Sequence, residues 1–190
     1  MYLVFDTETT GLPKNYQAPL DDFLNWPRIV QIAWSIYDSE GQLWESANYI
    51  IRPDGFVISD EVAKIHRITQ ARALQEGRPL GEALSVFLKD VSGVSHLIAH
   101  NIDFDEKIVG AELVREKMNN PFAGVKKLDT MKLAVDFCRI DNGRGGYKWP
   151  NLTELYFRLF NNSFPEAHDA VFDVKACAEC FFELKRRSLI

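Results

Sequence analysis

The stretch Tyr2-Leu3-Val4-Phe5-Asp6-Thr7-Glu8-Thr9-Thr10-Gly11 begins with a short apolar run and passes directly into two carboxylates spaced two apart. An unbroken apolar run of this kind reads as a strand buried on both faces. Turn residues Gly11-Leu12-Pro13 follow it. Residues two apart on a strand face the same way, so Asp6 and Glu8 present their carboxylates to one spot while Phe5 and Thr7 face the other.

Outward from this strand, residues 14–27 are polar and carry Pro19 and Pro27, which predicts a loop. Two β-rich stretches, Ile29–Tyr37 and Leu43–Ile51, flank the turn signal Asp38-Ser39-Glu40-Gly41 and predict an antiparallel hairpin. The pattern then changes to helices alternating with short strands. Ser59 before Asp60 and Glu61 reads as an N-cap for a helix through about Ile65. Pro79 suits the first turn of a second helix, with Leu80, Leu84, Phe87, Leu88 and Val91 at helical spacing. A strand at His96–His100, a helix from Phe104 to Met118, a strand at Lys126–Asp129 and a helical stretch from Thr130 to Phe137 follow. Residues 139–150 are Gly-rich and basic, the composition of a mobile loop. Asn151 with Glu154 resembles a capping box for a helix to about Phe160, and Asp169 to Arg187 predicts a long terminal helix. The expected fold class is α/β, a mixed sheet covered by helices; periodicity does not give the strand order.

The chain has 190 residues, 46% hydrophobic and 26% charged, which suits one domain over residues 1–190 with no linker or repeat. A core of that size needs no structural metal, so any metal present would be doing chemistry. The formal net charge of −5 argues against nucleic-acid binding by bulk positive charge. Cys138, Cys177 and Cys180 form an odd set without a second CxxC pair, so helical core is expected rather than a disulfide framework or a zinc site. With no positive n-region and no apolar run near the ~20 residues of a membrane span, no membrane association and a cytoplasmic location are expected.

Three acidic groupings stand out. The pair Asp6 and Glu8 ends the first strand. His100-Asn101-Ile102-Asp103-Phe104-Asp105 runs from a strand end into a helix start, and Asp105 shares its helix face with Ile108 and Val109. His168-Asp169-Ala170-Val171-Phe172-Asp173 opens the terminal helix, with Ala176 and Cys177 on the face of Asp173. Ordinary N-capping accounts for Asp103 and Asp169. It does not account for carboxylates on apolar stripes, which need a compensating charge. Converged at ~5 Å, each pair of these acids would repel by roughly 3 kcal/mol at an effective dielectric near 20. Divalent cations relieve such repulsion, and carboxylate oxygens suit Mg²⁺ or Mn²⁺ rather than zinc or copper.

These motifs resemble the DEDDh subfamily of DnaQ-like 3′→5′ exonucleases, a group that includes the proofreading subunits of replicative DNA polymerases. Asp6-Thr7-Glu8-Thr9-Thr10-Gly11 is similar to the first motif, His100-Asn101-x-x-Phe104-Asp105 to the second and His168-x-Ala170-x-x-Asp173 to the third, in the family order. Ile29–Ala33, Ala63-x-Ile65-His66 and Leu128-Asp129-Thr130 are weaker similarities. The resemblance implies a ribonuclease H-like fold, with two divalent metals held by Asp6, Glu8, Asp105 and Asp173 and with His168 as general base. It selects Asp105 over Asp103. It also implies that Thr10, Gly11 and Leu12 help seat the 3′-terminal nucleotide, Leu12 and Phe104 packing near its base. His66 becomes a candidate substrate residue, although Arg67 stands where many relatives carry glycine and would add a cation nearby.

Phosphodiester hydrolysis needs an activated water, charge relief on the phosphorus and stabilisation of the departing 3′ oxygen, all of which two metals can supply. A histidine with an ordinary pKa near 6.5 can take the water's proton at neutral pH. Single-stranded nucleic acid 3′ ends, DNA in the first instance, are the expected substrate, because an unpaired base can splay and stack. Basic and aromatic residues Arg144, Tyr147, Lys148 and Trp149 are candidates to guide it. A polymerase or repair complex is a further expected partner. The rival readings are an exoribonuclease acting on short RNA or RNA 3′ tails, a noncatalytic nucleic-acid-binding module, and a plain structural domain. Retention of all four acids and His168 disfavours the noncatalytic module, and a plain structural domain gives no account of acids in the family order.

Overall fold

The computed structural model describes residues 1–164 and 169–190. The elements are β1 (Tyr2–Thr9), β2 (Ile29–Tyr37), β3 (Leu43–Ile50), α1 (Asp60–His66), α2 (Gln70–Glu76), α3 (Leu80–Ser92), β4 (His96–Ala99), α4 (Ile102–Arg115), β5 (Lys126–Asp129), α5 (Thr130–Leu133), α6 (Val135–Cys138), α7 (Leu152–Phe160) and α8 (Ala170–Arg186). The strands form one mixed sheet in the order β3-β2-β1-β4-β5. β1 is central, antiparallel to β2 and parallel to β4, which is in turn parallel to β5. The carboxyl ends of β1, β4 and β5 therefore share one edge of the sheet, the side on which loops of an open α/β sheet gather a site.

Helices cover both faces, as the alternation of apolar runs predicts. On one face Leu3, Phe5, Ile32 and Trp34 pack with Leu84 and Phe87 of α3 and Ile108 and Val109 of α4. Trp34 is buried with its indole N–H donating to Asp90 at 2.7 Å, so its one polar atom is satisfied. On the other face Val4, Ala33 and Ile98 meet Ala170, Val174, Cys177 and Ala178 of α8. Cys138 and Cys180 join Leu155 and Leu159 of α7 in a further cluster, and all three cysteines are free and buried. No helix among the described residues is long and apolar enough to cross a membrane.

β1 carries Asp6 and Glu8 as expected, its ladder with β2 continuing to Thr9 opposite Ile29. The other expected elements form, with four instructive differences. α2 has no counterpart in the sequence reading; Thr69 caps it, its hydroxyl accepting from Arg72 N–H at 3.1 Å. The stretch from Thr130 divides into α5 and α6 at Ala134. Ser59 precedes α1 without a side-chain capping bond, whereas Asn151 and Glu154 make the full capping box of α7. The stretch 139–150, expected as a mobile loop, forms a hydrogen-bonded hairpin. Asn142 N–H donates to Gly146 at 3.0 Å, Lys148 N–H donates to Ile140 at 2.8 Å, and Asp141 bridges Tyr147.

Candidate active site

Asp6 and Glu8 lie on the α8 face of β1, as their spacing requires, and Asp173 reaches them from the first turn of α8. Carboxylate oxygens of these three residues all lie within 4.8 Å of one another. Gln31 sets the approach of α8. Its side-chain amide donates to Asp169 at 3.2 Å and to Asn48 at 3.0 Å, and its carbonyl accepts from Ala170 N–H at 3.3 Å. Asp169 caps α8, accepting from Val171 N–H at 3.1 Å, which is the structural role expected for it.

Asp105 approaches β1 from α4 and is 2% exposed. One oxygen accepts from the N–H of Thr7 at 3.0 Å and from its hydroxyl at 2.7 Å. Part of the compensation for its burial thus comes from a neutral strand residue between the two acids, on the face opposite them. Asp103, by contrast, is exposed and pairs with Lys132. Burial therefore separates the two acids in the same way as the motif does. The start of α4 is itself braced: Asn101 adopts the left-handed conformation at φ 74°, and its N–H donates to buried Asp129 at 2.9 Å.

Crowding four acids in this volume has a large electrostatic effect. Burial, then Asp105, Asp173 and Glu8, push the Asp6 carboxyl well above its ordinary range. Burial followed by Asp173 and Asp105 raises Glu8 to about 8. For Asp105, burial dominates and the Thr7 hydrogen bonds oppose it, leaving a value of about 7. Acids that resist ionising together are the donor set a hard divalent cation relieves, and the three mutually close oxygens fit such an ion.

The turn after β1 carries Thr10, Gly11 and Leu12. Thr10 N–H donates to the carbonyl of Arg28, and its hydroxyl accepts from Arg28 N–H at 3.0 Å. Gly11 turns at φ 148°, a conformation side chains rarely adopt, and Thr9 locks the turn by donating to its carbonyl at 2.6 Å. Leu12 is 74% exposed. Phe104, beside Asp105 in sequence, is half-buried, with the Tyr16 ring centroid 6.4 Å away. His66 is buried in α1, where Nδ1 accepts from Ile68 N–H at 3.1 Å and Nε2 has no hydrogen-bond partner among the described residues. Arg67 ends that helix in the left-handed conformation at φ 61°, the position at which glycine is ordinarily favoured. His168 lies outside the described residues.

Thr7, Gln31 and Asp129 are the positioning residues that sequence reasoning missed. Gln31 and Asp129 fall within the weaker motif similarities, and Thr7 is a polar residue facing the core from an otherwise apolar strand. Lys148, a candidate substrate contact, pairs with Glu154 at 2.6 Å, so its charge is already met within the chain.

The RNase T family model, described as exonuclease, matches residues 3–181. DNA polymerase III subunit epsilon of Treponema pallidum is 33% identical over 181 residues, covering 95% of this chain and 74% of the relative. Among solved structures, E. coli exonuclease I in complex with a dT13 oligonucleotide superposes with a TM-score of 0.74 at 20% identity, covering 98% of this chain. Exonuclease I from Methylocaldum szegediense gives 0.75 at 20% identity over 98% of this chain. This chain spans 41% and 40% of those two longer proteins. The chain belongs to the exonuclease family, as a DnaQ-like 3′→5′ exonuclease domain on a ribonuclease H-like fold.

Proposed function

We propose that the chain removes nucleotides from the 3′ end of single-stranded DNA, releasing nucleoside 5′-monophosphates. The convergence of the Asp6, Glu8 and Asp173 oxygens carries this reading. Asp6, Glu8 and Asp173, with Asp105 beside them, would hold two divalent cations, Mg²⁺ or Mn²⁺. When bound, these supply Lewis acidity toward water and phosphate and stabilise the leaving oxygen. Thr10, Gly11 and Leu12 seat the terminal nucleotide, with Leu12 and Phe104 against its base, and His66 is retained as a candidate substrate residue. His168, next in sequence to the cap of α8, accepts the proton of the attacking water, as the third motif suggests. The relationship to a polymerase III epsilon subunit favours DNA over RNA and suggests a polymerase as partner.

The test is digestion of 5′-labelled single-stranded DNA and matched RNA with Mg²⁺ or Mn²⁺, and with chelator. A ladder shortening from the 3′ end, faster on DNA and abolished by chelator, is expected. Asp173→Asn and His168→Ala should each lose at least about a hundredfold in rate. Chelator-resistant cleavage, or cleavage by Asp173→Asn at the rate of the unsubstituted protein, overturns the metal reading; faster digestion of RNA overturns the substrate assignment.

A further inference from the structure

The imidazole of His100 ties the hairpin at 139–150 to the edge of the sheet that carries the acids. His100 directly follows Ala99, the last residue of β4 and the parallel neighbour of β1. Its Nε2 lies 2.9 Å from the carbonyl oxygen of Pro150, and its Nδ1 lies 2.9 Å from the Thr130 hydroxyl. This bond fixes Pro150, and with it the preceding residues, at the edge where β1 delivers Asp6 and Glu8. Two aromatic residues stand on that extended approach, Tyr147 at 46% exposure and Trp149 at 61%. Neither ring stacks on another aromatic ring among the described residues.

Part of the charge around them is met within the chain. Lys148 is paired with Glu154 and Arg139 Nε donates to the carbonyl of Asp136, while Arg144 is exposed. A chain with a net charge of −5 has little bulk electrostatic hold on a polyanion, and the few cations of this hairpin add only a local one. Two open π faces provide another means, because every base has a face to stack and the contact tolerates any sequence.

We propose that Tyr147 and Trp149 form a stacking platform for bases of single-stranded nucleic acid upstream of the 3′-terminal nucleotide, with His100 as the positioning residue that holds the platform beside the acids. The proposal rests on the exonuclease reading of the acid cluster and extends it to the strand that leads into the cluster. It predicts a length dependence: a dinucleotide ends short of the platform, whereas an oligomer crosses it.

Two measurements test this. The first is fluorescence anisotropy of a 5′-labelled oligothymidylate in the presence of chelator; the second is steady-state hydrolysis of a dinucleotide and of that oligomer with Mg²⁺. Tyr147→Ala with Trp149→Ala should weaken oligomer binding and raise its KM on the order of tenfold, with kcat and dinucleotide hydrolysis unchanged. Trp149→Phe should retain most of the affinity, while Trp149→Leu, apolar but without a π face, should lose as much as Trp149→Ala. Unchanged oligomer binding in the double variant, or equal losses on dinucleotide and oligomer, overturns the platform. Oligomer binding by the unsubstituted protein that depends on Trp149 but is followed by no hydrolysis would overturn the exonuclease reading and leave the platform standing.

Discussion

The carboxyl of Asp105 is buried beside three other acids, and what holds it there is a neighbouring threonine that donates twice, at 3.0 and 2.7 Å. Thr7→Val keeps the shape and removes the hydroxyl donor. Hydrogen bonds to charged groups are worth about 1.5–3 kcal/mol, and this one lowers the carboxyl's pKa, so its loss raises Asp105 further above about 7. The expected outcome is hydrolysis reduced on the order of tenfold at neutral pH, with the acidic limb of the pH–rate profile displaced upward; a profile identical to that of the unsubstituted protein would refute the coupling. Arg67 offers a second test. Its left-handed φ of 61° costs a side-chain-bearing residue about 1 kcal/mol relative to glycine, so Arg67→Gly should raise the melting temperature by about 2–4 °C. Thr7 illustrates what sequence can and cannot give at this scale. Period two placed it opposite Asp6 and Glu8, but its partner, 98 positions along the chain, follows only from the packing of α4.

At the scale of elements, β2 enters the sheet through a buried ion-pair cluster. Glu112 on α4 is fully buried, accepting from Arg28 Nε at 2.9 Å and from Ile29 N–H at 3.0 Å, with Arg115 3.2 Å away. Arg28 in turn braces Thr10 in the turn after β1. Glu112→Ala leaves two guanidinium groups without their shared anion and should cost about 3–5 kcal/mol in a urea unfolding experiment. The elements most legible in the sequence were those with strong local signals: the capping box of α7, the apolar spacing of α3 and the turn between β2 and β3. α2 escaped because seven residues capped by one threonine carry little periodicity. The break at Ala134 and the left-handed Asn101 were hidden because tertiary partners decide them, Asp129 holding Asn101 from β5.

For the whole molecule, the acid cluster couples stability to pH and to cations. Glu8 at about 8 and Asp105 at about 7 in the folded chain lie above ordinary carboxylate values, so the folded state binds more protons than the unfolded one between those limits. Stability of the cation-free protein should therefore be full below about pH 4 as far as these groups are concerned, and should be lost as pH rises toward 8. Melting curves from pH 5 to 8 with chelator should show a falling midpoint; Mg²⁺ or Mn²⁺ should raise the midpoint most at the upper end. A flat or rising midpoint under chelator would contradict the electrostatics. Mixed sheet and helical covering were legible at this scale from the succession of apolar runs, whereas the order β3-β2-β1-β4-β5 was not, because it depends on contacts between distant segments.

The arrangement of β1 and α8 has one more outcome. Residues near the two ends of the 190-residue chain jointly complete the acid trio, and the same helix seals one face of the sheet. Detachment of that helix would expose the core and carry Asp173 away from Asp6 and Glu8 in one event, so the packing of this face and the proposed cation-holding set would be lost together.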